Sequence, residues 1–206
     1  MLEKNFLSKS YNLETEDDTL AHYEAWAETY DQELSENDYA QPQRCAAALI
    51  THVDKRDIRI LDIGCGTGLS GVALKNLGFS NIDGCDFSSL MIEKAKDTDV
   101  YQRLFKADIN KKLDIETKTY DAAVAVGVLS FAHVRTDALR EMLRIIKTGG
   151  ILVIGLNEKY WSHDKVGEKL EKLAHEQVLE ILSQEYGDHL PGTGLGGWVA
   201  TIKKRH

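Results

Sequence analysis

The sequence predicts an α/β protein built on a mostly parallel sheet, and three observations carry that prediction. Short apolar runs alternate with helical patterns between Ile58 and Leu156, the rhythm of strands joined by crossover helices. The runs are apolar almost without interruption, as strands covered on both faces must be. A glycine-rich turn, Gly64-Cys-Gly-Thr-Gly68, directly follows the first of them, and such sheets seat ligands beyond the carboxyl ends of their strands.

The elements follow in order. Before residue 58 the pattern is helical. Glu16, Asp17 and Asp18 suit the positive first turn of a helix, and Leu20, Tyr23, Trp26, Ala27 and Tyr30 recur at threes and fours along one stripe. A second helix is expected over 41–52, with Pro42 near its first turn, where its missing N–H costs nothing. Strands are expected over 58–63, 81–86, 101–107, 120–127 and 151–156. The intervening helices are expected over 69–77, stopped by Gly78, and 88–96. A third spans 136–147: Thr136 can cap it, Asp137 suits its first turn, Leu139, Met142, Leu143 and Ile146 make its apolar face, and Gly149 and Gly150 stop it. Past Leu156 the rhythm changes to a helix over 164–175, then segments 178–186 and 198–204. These read as an antiparallel pair finishing the sheet, although 178–184 equally suits a continued helix. Pro191-Gly-Thr-Gly-Leu-Gly-Gly197 reads as a loop.

Length and composition set limits. A chain of 206 residues suits one domain, 1–206, with a helical N-terminal part over 1–55, a ligand-binding core over 56–156 and a substrate-side end over 157–206. No apolar run approaches the roughly 20 residues of a membrane helix, and the start carries no signal-peptide pattern. The formal net charge of −8 argues against a broad nucleic-acid footprint, which needs clustered Lys and Arg, and favours a small-molecule partner. Lys203-Lys204-Arg205-His206 reads as a solvated tail. The three cysteines, Cys45, Cys65 and Cys85, have no zinc-site spacing and suit a reducing, cytoplasmic setting. No metal is expected, and the oligomeric state is not set by the sequence.

The glycine turn carries the chemistry. Glycine tolerates positive φ and lets a ligand approach the backbone, and the helix that begins there offers free N–H groups. Gly66-Thr-Gly-Leu-Ser-Gly71 matches the dinucleotide pattern G-x-G-x-x-G, with Asp86 at the distance of a ribose-binding acid. Two acids point to a different ligand. Asp62, two residues before the first glycine, can hold a cationic amino group and would repel a diphosphate. Asp108, after the third strand, can accept from an adenine amino group. Asp62, Asp86 and Asp108 then end three strands in step with amino acid, ribose and adenine. Turn-forming aspartates are the plain alternative.

At these residues the sequence resembles the class I S-adenosylmethionine-dependent methyltransferases, across 60–156. Asp62-Ile-Gly-Cys-Gly-Thr-Gly68 is similar to the family's first motif and Gly84-Cys-Asp-Phe-Ser-Ser-Leu-Met-Ile-Glu-Lys-Ala95 to its second. The resemblance implies a Rossmann-like, mostly parallel seven-stranded sheet with helices on both faces, an antiparallel C-terminal strand and an N-terminal helical lid. It implies S-adenosylmethionine as cofactor and S-adenosylhomocysteine as product. Asp62 with Gly64, Cys65, Gly66 and Gly68 would hold the methionine moiety, and Asp86 the ribose hydroxyls. Phe87 and Met91 would pack beside the adenine, Asp108 and Ile109 would form its turn, and Val126 and Gly127 would face the methionine part. Thr148 departs from the proline common in the family. Tyr23-Glu-Ala-Trp-Ala-Glu-Thr-Tyr-Asp31 and Val100-Tyr-Gln-Arg-Leu104 are similar to the branch of methyltransferase-like proteins from the Williams–Beuren chromosomal region. By that resemblance Tyr23, Trp26 and Tyr30 are lid candidates and Arg44 approaches the methionine carboxylate; core packing is the plain alternative for the aromatics.

No catalytic base is signposted. Gly127-Val-Leu-Ser130 stands where amino methyltransferases of another type carry N-P-P-[YFW]. His133 is the nearest titratable candidate, and Asn157, Tyr160, Trp161 and His163 follow the fifth strand. An acceptor that is already nucleophilic needs orientation more than a base. A cofactor-binding protein without turnover and a nicotinamide-dependent oxidoreductase are the competing readings.

Overall fold

The computed structural model describes residues 16–26, 28–129 and 138–206. Its centre is one seven-stranded sheet of β1 (Ile60–Ile63), β2 (Ile82–Asp86), β3 (Arg103–Lys106), β4 (Tyr120–Val126), β5 (Ile146–Asn157), β6 (Leu179–Leu190) and β7 (Leu195–Lys204). The strand order is β3-β2-β1-β4-β5-β7-β6. The first five strands pair in parallel. Strand β7 runs antiparallel between β5 and β6. The chain order reverses between β1 and β4, and a sheet of this kind opens a crevice beyond the carboxyl ends at that point.

Around the sheet lie α1 (Glu16–Trp26), α2 (Tyr30–Glu36), α3 (Gln41–Ile50), α4 (Leu69–Asn76), α5 (Ser89–Lys96), α6 (Ala138–Ile145), α7 (Glu158–His163) and α8 (Val166–His175). Successive strand residues point to opposite faces. Leu61, Leu152 and Ile154 accordingly join Leu139, Met142 and Leu170 on one side. Ile60, Val124 and Val153 join Cys45, Leu49 and Leu74 on the other. Both faces are covered, which is why the runs lack polar alternation. A third cluster joins Trp26, Leu34, Leu190 and Leu195, with Tyr30, Tyr39 and Leu69 packed against it. It ties the N-terminal helices to the start of α4 and to the β6–β7 turn. No described helix is long and apolar enough to cross a membrane.

Several boundaries differ from the sequence expectation. The stripe from Leu20 to Tyr30 belongs to two helices: the N–H of Thr29 bonds the Trp26 carbonyl at 2.9 Å, and a fresh turn starts as the N–H of Glu33 bonds the Thr29 carbonyl at 2.9 Å. The helix expected over 164–175 is preceded by α7, which Asn157 caps by accepting from the N–H of Tyr160 at 3.1 Å. Lys165, at φ +51, separates α7 from α8. Residues 179–184 are strand, not helix. The helix expected to reach residue 147 ends at Ile145, and Ile146 already pairs with Tyr120. Ile151 pairs with Ala122, so 147–150 bulges out of β5. The loop expected over 191–197 shrinks to a single 3-10 turn, Pro191–Thr193, and Gly194. Gly196 and Gly197 are strand residues. A Cβ on Gly196 would run into the Tyr186 hydroxyl, and one on Gly197 would lie 2.9 Å from His189 Cβ, so each glycine admits a ring on a different face of β7. The expected caps Thr136 and Asp137 lie outside the described residues.

Candidate functional site

The glycine turn leaves β1 at the point where the strand order reverses. Gly64, Gly66 and Gly68 all have positive φ, at +64, +54 and +102, which only glycine adopts without strain. A Cβ on Gly68 would approach Thr98 to 2.9 Å, whereas a Cβ on Gly66 would meet nothing within 4 Å. The turn therefore packs against the protein at its end and opens at its middle. Cys65 is buried, its N–H bonds the Cys85 carbonyl at 3.0 Å, and burial pushes its thiol well above the ordinary range.

Asp62 sits behind this turn, fully buried. Its Oδ2 accepts from the hydroxyls of Ser70 at 2.6 Å and Tyr101 at 2.7 Å. Its Oδ1 has no hydrogen-bond partner among the described residues. Burial raises its pKa from 3.8 to about 6; the two hydroxyls and the backbone N–H of Gly71 pull it down and Asp86 adds to the rise. A buried carboxylate oxygen with no donor is costly, and an arriving ammonium would supply one.

Asp86 ends β2 on the open side of the turn. Its Oδ2 accepts from the N–H of Gly66 at 2.9 Å and its Oδ1 from the N–H of Ser88 at 2.8 Å. Burial raises its pKa and those N–H groups oppose the rise. Each oxygen keeps acceptor capacity for a hydroxyl. Ser88 in turn caps α5 through the N–H of Met91 at 3.3 Å. Asp108 follows β3: its Oδ1 accepts from the N–H of Asn110 at 3.0 Å, and Lys111 Nζ stands 2.8 Å from its Oδ2 as an ion pair without hydrogen-bond geometry.

The other expected residues are distributed as follows. Phe87 is half-buried beneath Lys106, whose Nζ lies 5.6 Å from the ring centroid, while Met91 and Ile109 are buried. Val126 ends β4, and Gly127 follows at φ +71, its N–H bonding the Gly155 carbonyl at 2.8 Å. Trp26 is buried with Tyr30 edge-on to it at 4.6 Å, so both pack in the cluster that reaches Leu69 beside the turn. Tyr23 lies in α1, with its side chain outside the described residues, as is His133 altogether. Arg44 has a different task from the one the resemblance implies. Its guanidinium donates to the carbonyls of Asp188 at 2.8 Å, Gly197 at 3.0 Å and Glu185 at 2.9 Å, pinning β6 and β7 to α3. Of the residues after β5, Asn157 is a helix cap, Tyr160 and Trp161 are buried, and His163 pairs with Asp164 at 2.9 Å.

Sequence reasoning gave no role to Ser70 and Tyr101, which orient Asp62, nor to Asp31 and Thr67. The Thr67 hydroxyl donates to Asp31 Oδ1 at 2.5 Å, joining α2 directly to the glycine turn. Such pairings across the fold leave no local pattern in the chain.

A parallel sheet with this strand order, a positive-φ glycine turn at its reversal and carboxylates at three strand ends make the Rossmann-like fold of class I methyltransferase domains. Residues 61–154 match the family described as Methyltransferase domain. It is 34% identical over 139 residues to the human Methyltransferase-like protein 27, covering 66% of this chain and 56% of that one. It is 30% identical over 138 residues to a Phosphatidylethanolamine N-methyltransferase of Cereibacter sphaeroides, covering 64% of each. The chain thus spans between half and two thirds of the length of these curated relatives. Among solved structures, a chain from a Haloferax volcanii complex of the Trm112 methyltransferase activator with a methyltransferase superposes at a TM-score of 0.71 and 16% identity, covering 89% of this chain and 98% of that one. At that identity the likeness concerns the fold.

Proposed function

We propose that the protein transfers a methyl group from S-adenosylmethionine to a small-molecule acceptor. One observation carries the cofactor half of this reading: the buried Oδ1 of Asp62, without a donor, behind a glycine turn that is open at Gly66. Those groups fit an amino acid end, and Asp86 at the mouth of the turn fits a ribose. The bound cofactor supplies an electrophilic methyl on a sulfonium.

The chain's own residues then bind and orient. Asp62 holds the ammonium, and its charge is set by Ser70 and Tyr101. The backbone of Gly64, Gly66 and Gly68 lines the carboxylate and ribose, where a side chain would intrude. Asp86 accepts from the ribose hydroxyls, while Asp108 and Ile109 bound the adenine and Phe87 packs beside it. Val126 and Gly127 face the methionine part. Asp31, bonded to Thr67, lays the N-terminal helices over the turn and excludes water. Acceptors named for relatives include a lipid amine, malonyl-[acyl-carrier protein] and 18S rRNA. The net charge of −8 disfavours a polyanionic acceptor among these.

Calorimetric titration with S-adenosylmethionine, S-adenosylhomocysteine and NAD in parallel tests the cofactor. Saturable binding of the first two with silence from NAD is expected. Binding of NAD alone would return the turn to a dinucleotide site and overturn the reading.

A further inference from the structure

At the other end of the same carboxyl edge lies an aromatic floor. Trp198 on β7 stands opposite Leu156 near the end of β5 and opposite Tyr186 on β6. Trp161 of α7 stacks on Trp198, centroids 5.3 Å apart and planes 18° from parallel. Tyr186 meets Trp198 edge-on at 5.3 Å. Tyr186 is 55% exposed, an unusual position for a ring that the fold has made room for: Gly196 lies directly beneath its hydroxyl. That hydroxyl donates to Glu158 Oε2 at 2.5 Å, which aims the carboxylate of the first residue of α7 along the rim of the floor.

Two carboxylates act on this corner. Glu158 and Asp188 both raise the Tyr186 phenol. Arg44 is held by backbone carbonyls against Gly187, on the α3 side of the strands. Electron-rich ring faces beside a carboxylate attract a cation and repel an anion. A flat or apolar body fits the rings, and a positive end fits the rim.

We propose that Tyr186, Trp198, Trp161 and Glu158 form the acceptor subsite, and that it takes a ligand pairing an ammonium group with a planar or apolar body. As an acceptor subsite it rests on the methyl-transfer reading above; as a binding site it does not. The ammonium lies against Glu158 and the body against Tyr186 and Trp198.

The test uses phenethylamine, phenethyl alcohol and hydrocinnamate as probes of one shape and different charge. Each is titrated by calorimetry against the full chain, with S-adenosylhomocysteine titrated separately on the same preparation. Phenethylamine is expected to saturate while the alcohol and the acid do not. Glu158→Gln is expected to weaken it about tenfold, and Tyr186→Ala, at an exposed position, about fivefold. No saturation by the amine, equal binding of the three probes, or unchanged amine affinity in both variants would each overturn the subsite. Failure of the amine with intact S-adenosylhomocysteine binding removes the subsite alone. Amine binding with silence toward S-adenosylhomocysteine leaves an ammonium site standing and removes the methyl-transfer reading.

Discussion

The two halves of the carboxyl edge solve binding in opposite ways. Over β1 and β2 the site is made of backbone and acids: a positive-φ turn, a carboxylate braced by two N–H groups, another held by two hydroxyls. Over β5, β7 and β6 it is made of rings and one carboxylate, assembled from three separate elements. The first half is fixed by backbone conformation, and suits one ligand that never changes. The second is a surface whose specificity lies in exchangeable side chains. Family members that share a cofactor and differ in acceptor need this division of labour.

The contrast is broken most severely at Asp86. Asp86→Ala removes the acceptor of the N–H groups of Gly66 and Ser88 as well as the ribose contact. Calorimetry is expected to read a loss of cofactor affinity of about 100-fold, with amine binding at Glu158 unchanged. Equal loss at both sites would mean the halves are not separable.

Arg44→Ala is expected to do the reverse. It frees the carbonyls of Glu185, Asp188 and Gly197 and should cost about 2 kcal/mol in urea unfolding, while S-adenosylhomocysteine affinity stays within about twofold. A large loss of affinity would restore the carboxylate-binding role that the resemblance implies for Arg44.

An effect of opposite sign in two assays is expected at Asp62. Burial places its pKa near 6, above the ordinary 3.8. Between those values the folded chain keeps a proton that the unfolded chain has released, so stability falls as pH rises from 3.8 to about 6 and stays lower above. The linkage is on the order of 3 kcal/mol. Asp62→Asn should therefore raise the ligand-free Tm near neutral pH yet weaken cofactor binding about tenfold. In the unmodified protein, binding should weaken as pH falls below about 6, where Asp62 loses its charge. A pH-independent affinity across that range would deny Asp62 the ammonium. The smallest effect belongs to Lys111→Ala: Lys111 is 76% exposed beside Asp108, and thermal melts should shift by no more than about half a kcal/mol equivalent.

The same division governs what the chain discloses before folding. The glycine turn and its acids are legible because their causes are local: φ at Gly64, Gly66 and Gly68, and a carboxylate at a strand end, belong to single positions. The sheet is legible because two-sided burial leaves apolar runs. Arg44 is not, since it meets Asp188 from 144 positions away, and an arginine in a helical pattern reads as solvated. The break after Trp26 escapes notice because the apolar stripe continues in phase into α2. Gly196 and Gly197 read as loop because glycine marks turns far more often than it marks a ring packed across a strand. Lys165 supplies a left-handed residue where no glycine announces one.

The tryptophans have an optical consequence. The chain has three, and they divide between the halves: Trp26, at the end of α1, is buried in the cluster that reaches Leu69, while Trp161 and Trp198 stack at 18°. Two indoles at that separation couple their transitions, so the dichroism of the pair depends on how one ring is turned over the other. With Trp161 and Trp198 replaced by phenylalanine, emission comes from Trp26 alone and reports the end beside Leu69. Variants that keep either Trp26 or the stacked pair can thus show by their emission which end a ligand has entered.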